Sequence, residues 1–166
     1  RAAMALSKLS GDEQRILCTQ LCNVLEPRLA VFLSSISHGL QEPTQALLPQ
    51  LRADHEAVIA LCLKVGLRSC KELREAKYVE ESNKGLTADD LALLGTLGSV
   101  LPALETLILD STASPGGVKR LAEGLGAGAL PAVTILQLIR MHVGDAGASA
   151  LAAALGRGAL PQLKTL

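Results

Sequence analysis

Cys18 and Cys22 stand one helical turn apart, and His38 and His55 are the imidazoles that could join them. Two thiolates and a histidine are three of the four ligands of a tetrahedral zinc site. Both cysteines, however, lie within or beside an apolar stripe, where Cys packs as a small hydrophobe, and the chain has no CxxC pair. No metal and no other cofactor is expected. His55-Glu56 has no second His at metalloprotease spacing, and His142 occupies a loop with no partner visible in sequence. Glycines crowd at Gly124-Leu-Gly-Ala-Gly128 and again at Gly156-Arg-Gly158. A phosphate cradle runs strand, glycines, helix, so that the anion meets a helix N-terminus. These segments run helix, glycines, strand and read as descending turns, and no GxxxxGK[ST] occurs. With neither a Ser-His-Asp context nor a focused carboxylate pair, the chain reads as non-enzymatic.

The composition agrees with that reading. Sixteen Lys plus Arg balance sixteen Asp plus Glu in 166 residues, so bulk electrostatics offer nothing to nucleic acid. Phe32 and Tyr78 are the whole aromatic complement, too few for a base-stacking or sugar-stacking platform. Leu and Ala supply most of the 49% hydrophobic content, which points to packed helices and regular repeats. The longest uncharged run, Gly124 to Ile139, contains Pro131 and is shorter than the ~20 residues of a spanning helix, so no membrane span is expected. Cys18, Cys22, Cys62 and Cys70 lack secretory spacing; reduced thiols in a cytoplasmic or nuclear protein are the default reading. The opening Arg1 leaves an organellar (plastid) alternative, with a targeting segment removed.

The elements that would position any site fall into an all-α N-terminal region and a repetitive C-terminal one. Residues 1–66 read as helices. Ser10 and Glu13 form a capping box ahead of a stripe of Leu17, Leu21, Val24 and Leu25. A second helix starts at Pro27, buries Leu29, Phe32, Leu33 and Ile36, and ends at Gly39 in a left-handed cap. A third, interrupted or restarted at Pro49, buries Leu51, Val58, Leu61, Cys62 and Val65 and stops at Gly66. Residues 67–100 read as connecting and capping helices: Ser69 and Glu72 form a second capping box, although Cys70 to Val79 has an irregular strand as its alternative. Thr87 and Asp90 cap a helix to Ser99 with Leu91, Leu94 and Leu97 inward.

Residues 101–166 repeat. Leu101-Pro-Ala-Leu104 returns as Leu130-Pro-Ala-Val133 and Leu160-Pro-Gln-Leu163, with the prolines at 102, 131 and 161. Leu121, Leu125 and Leu130 match Leu151, Leu155 and Leu160. Each unit is a short strand and an amphipathic helix, and the pattern resembles leucine-rich repeats of the ribonuclease-inhibitor type. Thr112 and Met141 stand where that type has its turn asparagine, so imperfect asparagine-ladder bonding is expected. The expected fold class is thus α/β, a leucine-rich-repeat solenoid of short parallel strands plus helices behind an all-α cap. A repeat cannot bury its own apolar face and about three are needed for a stable stack, so the helical region must cap the array. Leu160, Leu163 and Leu166 have no following helix; each buried Leu is worth about 1.5–3 kcal/mol, so the chain is expected to continue or a partner to cover that edge.

The N-terminal run Leu9, Ile16, Leu17, Leu21, Leu25, Pro27, Leu29, Val31, Ser35 and Ser37 resembles an F-box, with Ser10 for the opening Pro, Glu26 for the Asp, and no downstream Trp. The whole chain also resembles algal leucine-rich-repeat proteins with a helical preamble. The F-box resemblance implies that Leu9, Ile16, Leu17, Leu25, Pro27, Leu29 and Val31 meet a Skp-type adaptor, and that the repeats select substrates for a cullin ubiquitin ligase. The alternatives are a plain helical cap over residues 9–40, and a structural subunit docked on a larger assembly. Side chains alternate along a strand, so Thr106, Ile108, Asp110, Ile135, Gln137, Ile139 and Thr165 should line the concave face and bind a protein partner. The turn residues Ser111, Thr112, Arg140, Met141 and His142 should extend that surface.

Overall fold

The structure, a computed structural model, describes residues 10, 13, 25, 28, 31, 32, 38–82, 85–110 and 116–166, with backbone alone for 38–47, 81 and 82. It is a mixture of helix and parallel strand: α1 (His38–Lys64), α2 (Cys70–Glu75), β1 (Tyr78–Ser82), α3 (Ala88–Thr96), a 3-10 turn (Leu97–Val100), β2 (Thr106–Asp110), α4 (Gly117–Gly124), β3 (Ile135–Ile139) and α5 (Gly144–Gly156). The chain divides into two compact units, 1–58 and 59–166, the division falling inside α1.

In the first unit the Ser10–Glu13 capping box is formed. The Ser10 amide and hydroxyl donate to Glu13 Oε2 at 2.8 Å each, and the Glu13 amide returns to Ser10 Oγ at 3.4 Å. The backbone bond from Ser10, then its hydroxyl, hold the Glu13 carboxyl below its ordinary value. Three expectations fail here. Gly39 is the second residue of α1 and is helical rather than a left-handed cap, and the helix runs unbroken through Pro43 and Pro49. A proline removes one amide donor and crowds the turn before it, yet the helical path continues past both to the buried Leu51 and Val58. Phe32, assigned to a buried face, is 58% exposed; Leu29, Leu33 and Ile36 lie outside the described residues.

In the second unit the helix ends follow their local chemistry. Gly66 takes the left-handed conformation (φ +82°). Its amide donates to the Leu63 carbonyl at 3.2 Å, and Leu67 donates to Cys62 at 2.8 Å. That pair of bonds is the Schellman stop that a glycine permits. Ser69 caps α2 by accepting from the Glu72 amide at 3.2 Å, but the Glu72 carboxylate reaches back to the Arg68 amide at 2.7 Å, one residue short of a reciprocal box. The Thr87–Asp90 box at α3 is reciprocal. There Asp90 also accepts from Lys64 Nζ at 2.5 Å, which ties the end of α1 to the start of α3. Burial would raise the Asp90 carboxyl, but Lys64 and the two Thr87 donors outweigh it and leave it below the ordinary value.

The three strands pair in parallel in the order β1-β2-β3, with Tyr78 opposite Thr106, Thr106 opposite Ile135, and an isolated parallel bridge from Ile135 to Thr165. One bonding device recurs at every step. The carbonyls of Lys77, Glu105 and Thr134 each accept from two successive amides one unit on: Glu105 and Thr106, Thr134 and Ile135, Lys164 and Thr165. Leu130 and Leu160 share the same left-handed backbone, φ +52° in both. The strand residues Val79, Leu107, Leu109 and Leu136 are buried under the helices with Leu91, Leu94 and Leu121, while Leu101, Leu104, Leu130, Val133 and Leu160 fill the layer at the strand entries. Helices α3, α4 and α5 pack in sequence, each on the next. Helix α3, read from sequence as a cap, is also the crossover between β1 and β2. The strand before it was hard to see because Lys77-Tyr78-Val79 lacks the Leu-Pro signature of the later units.

Candidate functional site

The residues assigned to a concave face share one face of the sheet. Alternation turns Leu107, Leu109 and Leu136 inward and leaves Thr106, Ile108, Ile135 and Gln137 half-buried on the other side. Strand register aligns them in rows: Tyr78, Thr106, Ile135 and Thr165; then Glu80, Ile108 and Gln137; then Ser82, Asp110 and Ile139. Ile139 is 40% exposed and Thr165 is exposed, so of the three isoleucines expected in the open, two are half covered by their neighbours. Met141 is half-buried and His142 exposed beyond the end of β3.

Asp110 departs from the expectation of a partner-facing carboxylate: it is buried. Arg140, at φ +52°, folds its guanidinium back onto it, with Nε to Oδ1 at 2.9 Å and Nη2 to Oδ2 at 2.5 Å. The fork geometry satisfies both carboxylate oxygens at once, so Asp110 and Arg140 spend their charge on each other and fasten the C-terminal ends of β2 and β3. The Arg140 hydrogen bonds hold the Asp110 carboxyl below its ordinary value and raise the guanidinium. Because the folded carboxyl binds its proton more weakly than the unfolded one, this stabilisation is complete above the ordinary value of 3.8 and is lost as pH falls through the lower folded value. Thermal melts of Asp110→Asn should therefore lose part of the wild-type acid destabilisation below about pH 4. An unchanged acid limb would show that the pair does not titrate with folding.

Tyr78 and Glu80 were not among the sequence candidates: the strand weighed there was the alternative over Cys70 to Val79, whereas Cys70–Glu75 is helical and the strand is Tyr78–Ser82. Tyr78 and Glu80 are exposed on the same face, and the Tyr78 hydroxyl donates to Glu80 Oε2 at 2.5 Å, which pushes the phenol up. The available signal was Val79, whose inward position matches Leu107 at an offset of 28 residues. Beside them Lys77 and Glu105 form an ion pair at 2.9 Å across the strand entries.

Of the F-box-like set, Leu9, Ile16, Leu17, Pro27 and Leu29 lie outside the described residues, as do Ser111 and Thr112. Leu25 is buried, and Val31 is helical and 47% exposed. Cys18 and Cys22 likewise lie outside, His55 is half-buried on α1, and among the described residues no three His, Cys, Asp or Glu side chains gather as a metal site. The glycine turns behave as descending turns, with Gly128 and Gly158 both at positive φ and the Gly128 amide bonded to the Gly158 carbonyl at 2.9 Å. An apolar groove of about 350 Å³ opens between β3 and α5, lined by Leu138, Val143, Leu151, Leu155 and Leu166. Among the described residues no helix is long and apolar enough to cross a membrane. No protein-family model, no curated protein and no solved structure matches the chain.

Proposed function

We propose that the chain is a non-catalytic protein-recognition module: a leucine-rich-repeat array whose open sheet face binds a protein partner. The row Tyr78, Thr106, Ile135 and Thr165, backed by Ile108 and Gln137, carries this reading, because it gathers aliphatic, hydroxyl and aromatic groups on one rigid surface. In the sharper version, the F-box-like residues Leu9, Ile16, Leu17, Leu25, Pro27, Leu29 and Val31 dock a Skp-type adaptor, and the sheet face holds the substrate of a cullin ubiquitin ligase. A second reading, a structural subunit of a larger assembly in the cytoplasm, nucleus or a plastid, draws support from the apolar groove beside α5.

Two substitutions separate the readings. In native co-purification read by mass spectrometry, Ile135→Asp should lose the sheet-bound partner by about tenfold or more, the effect of about 1.4 kcal/mol or above expected of a contact at an interface centre, while keeping adaptor and cullin. Val31→Asp should do the reverse. Retention of one large assembly by both variants, with no cullin, supports the structural subunit. If Ile135→Asp keeps every partner in a folded protein, the sheet-face reading is wrong.

A further inference from the structure

Cys62 and Cys70 are separate in sequence and in helix, yet the chain path brings their thiols together. Cys62 lies in the last turns of α1, where its carbonyl accepts from Leu67 in the Gly66 stop; the chain then folds back, Ser69 caps α2, and Cys70 is the first residue of that helix. Both side chains are buried, 1% and 7% exposed, and neither is in a disulfide. The two thiols lie within interaction range of each other. A buried pair of thiols within interaction range, at the two sides of a short turn between two helices, has the partner for oxidation already at hand. The connection outside them, Gly66 and Arg68, faces solvent.

We propose that Cys62 and Cys70 are a dithiol–disulfide site, closed by two-electron exchange with a small disulfide such as oxidised glutathione. When the 66–70 turn opens, one thiol loses its proton and its sulfur attacks the glutathione disulfide, releasing one glutathione thiol and leaving a mixed disulfide. The second protein thiol then loses its proton and attacks the protein-side sulfur, and a second glutathione leaves. One glutathione disulfide is reduced to two thiols while two protein thiols become one disulfide, which ties the end of α1 to the start of α2. In the closed joint burial pushes both thiols up, Cys62 to about 12, so exchange runs through opening and is slow until the turn yields.

The test uses the whole chain held in excess oxidised glutathione, quenched in acid, alkylated in denaturant and digested with trypsin without reduction. Cleavage after Arg52, Lys64, Arg68 and Lys71 puts Cys62 in peptide 53–64 and Cys70 in peptide 69–71, while Cys18 and Cys22 share peptide 16–28. The expected product is 53–64 joined to 69–71, two hydrogens lighter than their sum. It should be absent after reduction and absent in Cys70→Ser, and it should form several-fold faster in mild urea. The proposal is overturned if both cysteines remain alkylated, if oxidation stops at glutathione adducts, or if either pairs with Cys18 or Cys22.

Discussion

Gly95→Ala lowers the thermal midpoint of the 59–166 unit by about 10 °C, a loss of about 2 kcal/mol. Helices α3 and α4 meet backbone to backbone at Gly95 and Gly124. A Cβ on Gly95 would lie 2.4 Å from the Leu121 carbonyl oxygen, and one on Gly124 would lie 2.8 Å from the Ala92 oxygen and 3.0 Å from the Thr96 nitrogen. These obstacles are main chain and cannot rotate aside, so the helices must part and loosen the layer around Leu91, Leu94 and Leu121. Alanine is favoured over glycine inside a helix by about 1 kcal/mol, which offsets part of an overpacking cost of about 3 kcal/mol. Gly124→Ala should act in the same direction, and the double variant should cost less than the sum, because once the helices have parted the second methyl finds room. Gly126→Ala is the control: a Cβ there has nothing within 4 Å, and its effect should stay below about 0.5 kcal/mol. If Gly95→Ala melts with the wild type, α3 and α4 are not in backbone contact.

Leu107→Ala costs about 3 kcal/mol in urea unfolding, whereas Ile108→Ala, its neighbour on β2, costs about 1 kcal/mol. Leu107 is 0% exposed beneath the helices, and removing its isobutyl group leaves a cavity among groups already fixed by β1, β3 and the helix layer. Ile108 is half-buried on the open face and loses contacts along one side only. The order reverses for recognition: Ile108→Ala should weaken binding of the sheet-face partner, while Leu107→Ala should weaken it only as far as the fold fails. Equal unfolding midpoints for the two variants would mean that the sheet is covered on both faces.

Much of the local structure was legible before any coordinates. Thr87 and Gly66 mark helix ends because capping chemistry is completed within a few residues, and both mark them in the fold, while the Ser10–Glu13 box forms its expected bonds. The inward leucines followed from a period-two strand recurring at near-constant spacing, which places Leu107 and Leu136 on one side without knowledge of their neighbours. Gly39 and Pro49 misled for the same local reason: their punctuation is a bias of the individual residue, and both are helical within α1.

What the sequence could not supply is whatever depends on which strand lies beside which. β1 exists as a strand because Glu105 and Thr106 bond back to Lys77, and within residues 77–82 Val79 alone, 28 residues before Leu107, carries the repeat spacing. Asp110 and Arg140 were both placed on the recognition surface, but parallel register sets β2 against β3 so that the two charges meet and neutralise each other. The backbone contact of Gly95 with Gly124 is of the same kind. Periodicity and capping act over a few residues and are written in their spacing, and so the sequence determined the helix ends at Gly66 and Thr87 and the inward positions of Leu107, Leu109 and Leu136. Register and helix contact join residues about 30 apart, and the free energy that fixes them comes from the packed layer as a whole, so only the tertiary structure decided which side chains share a surface.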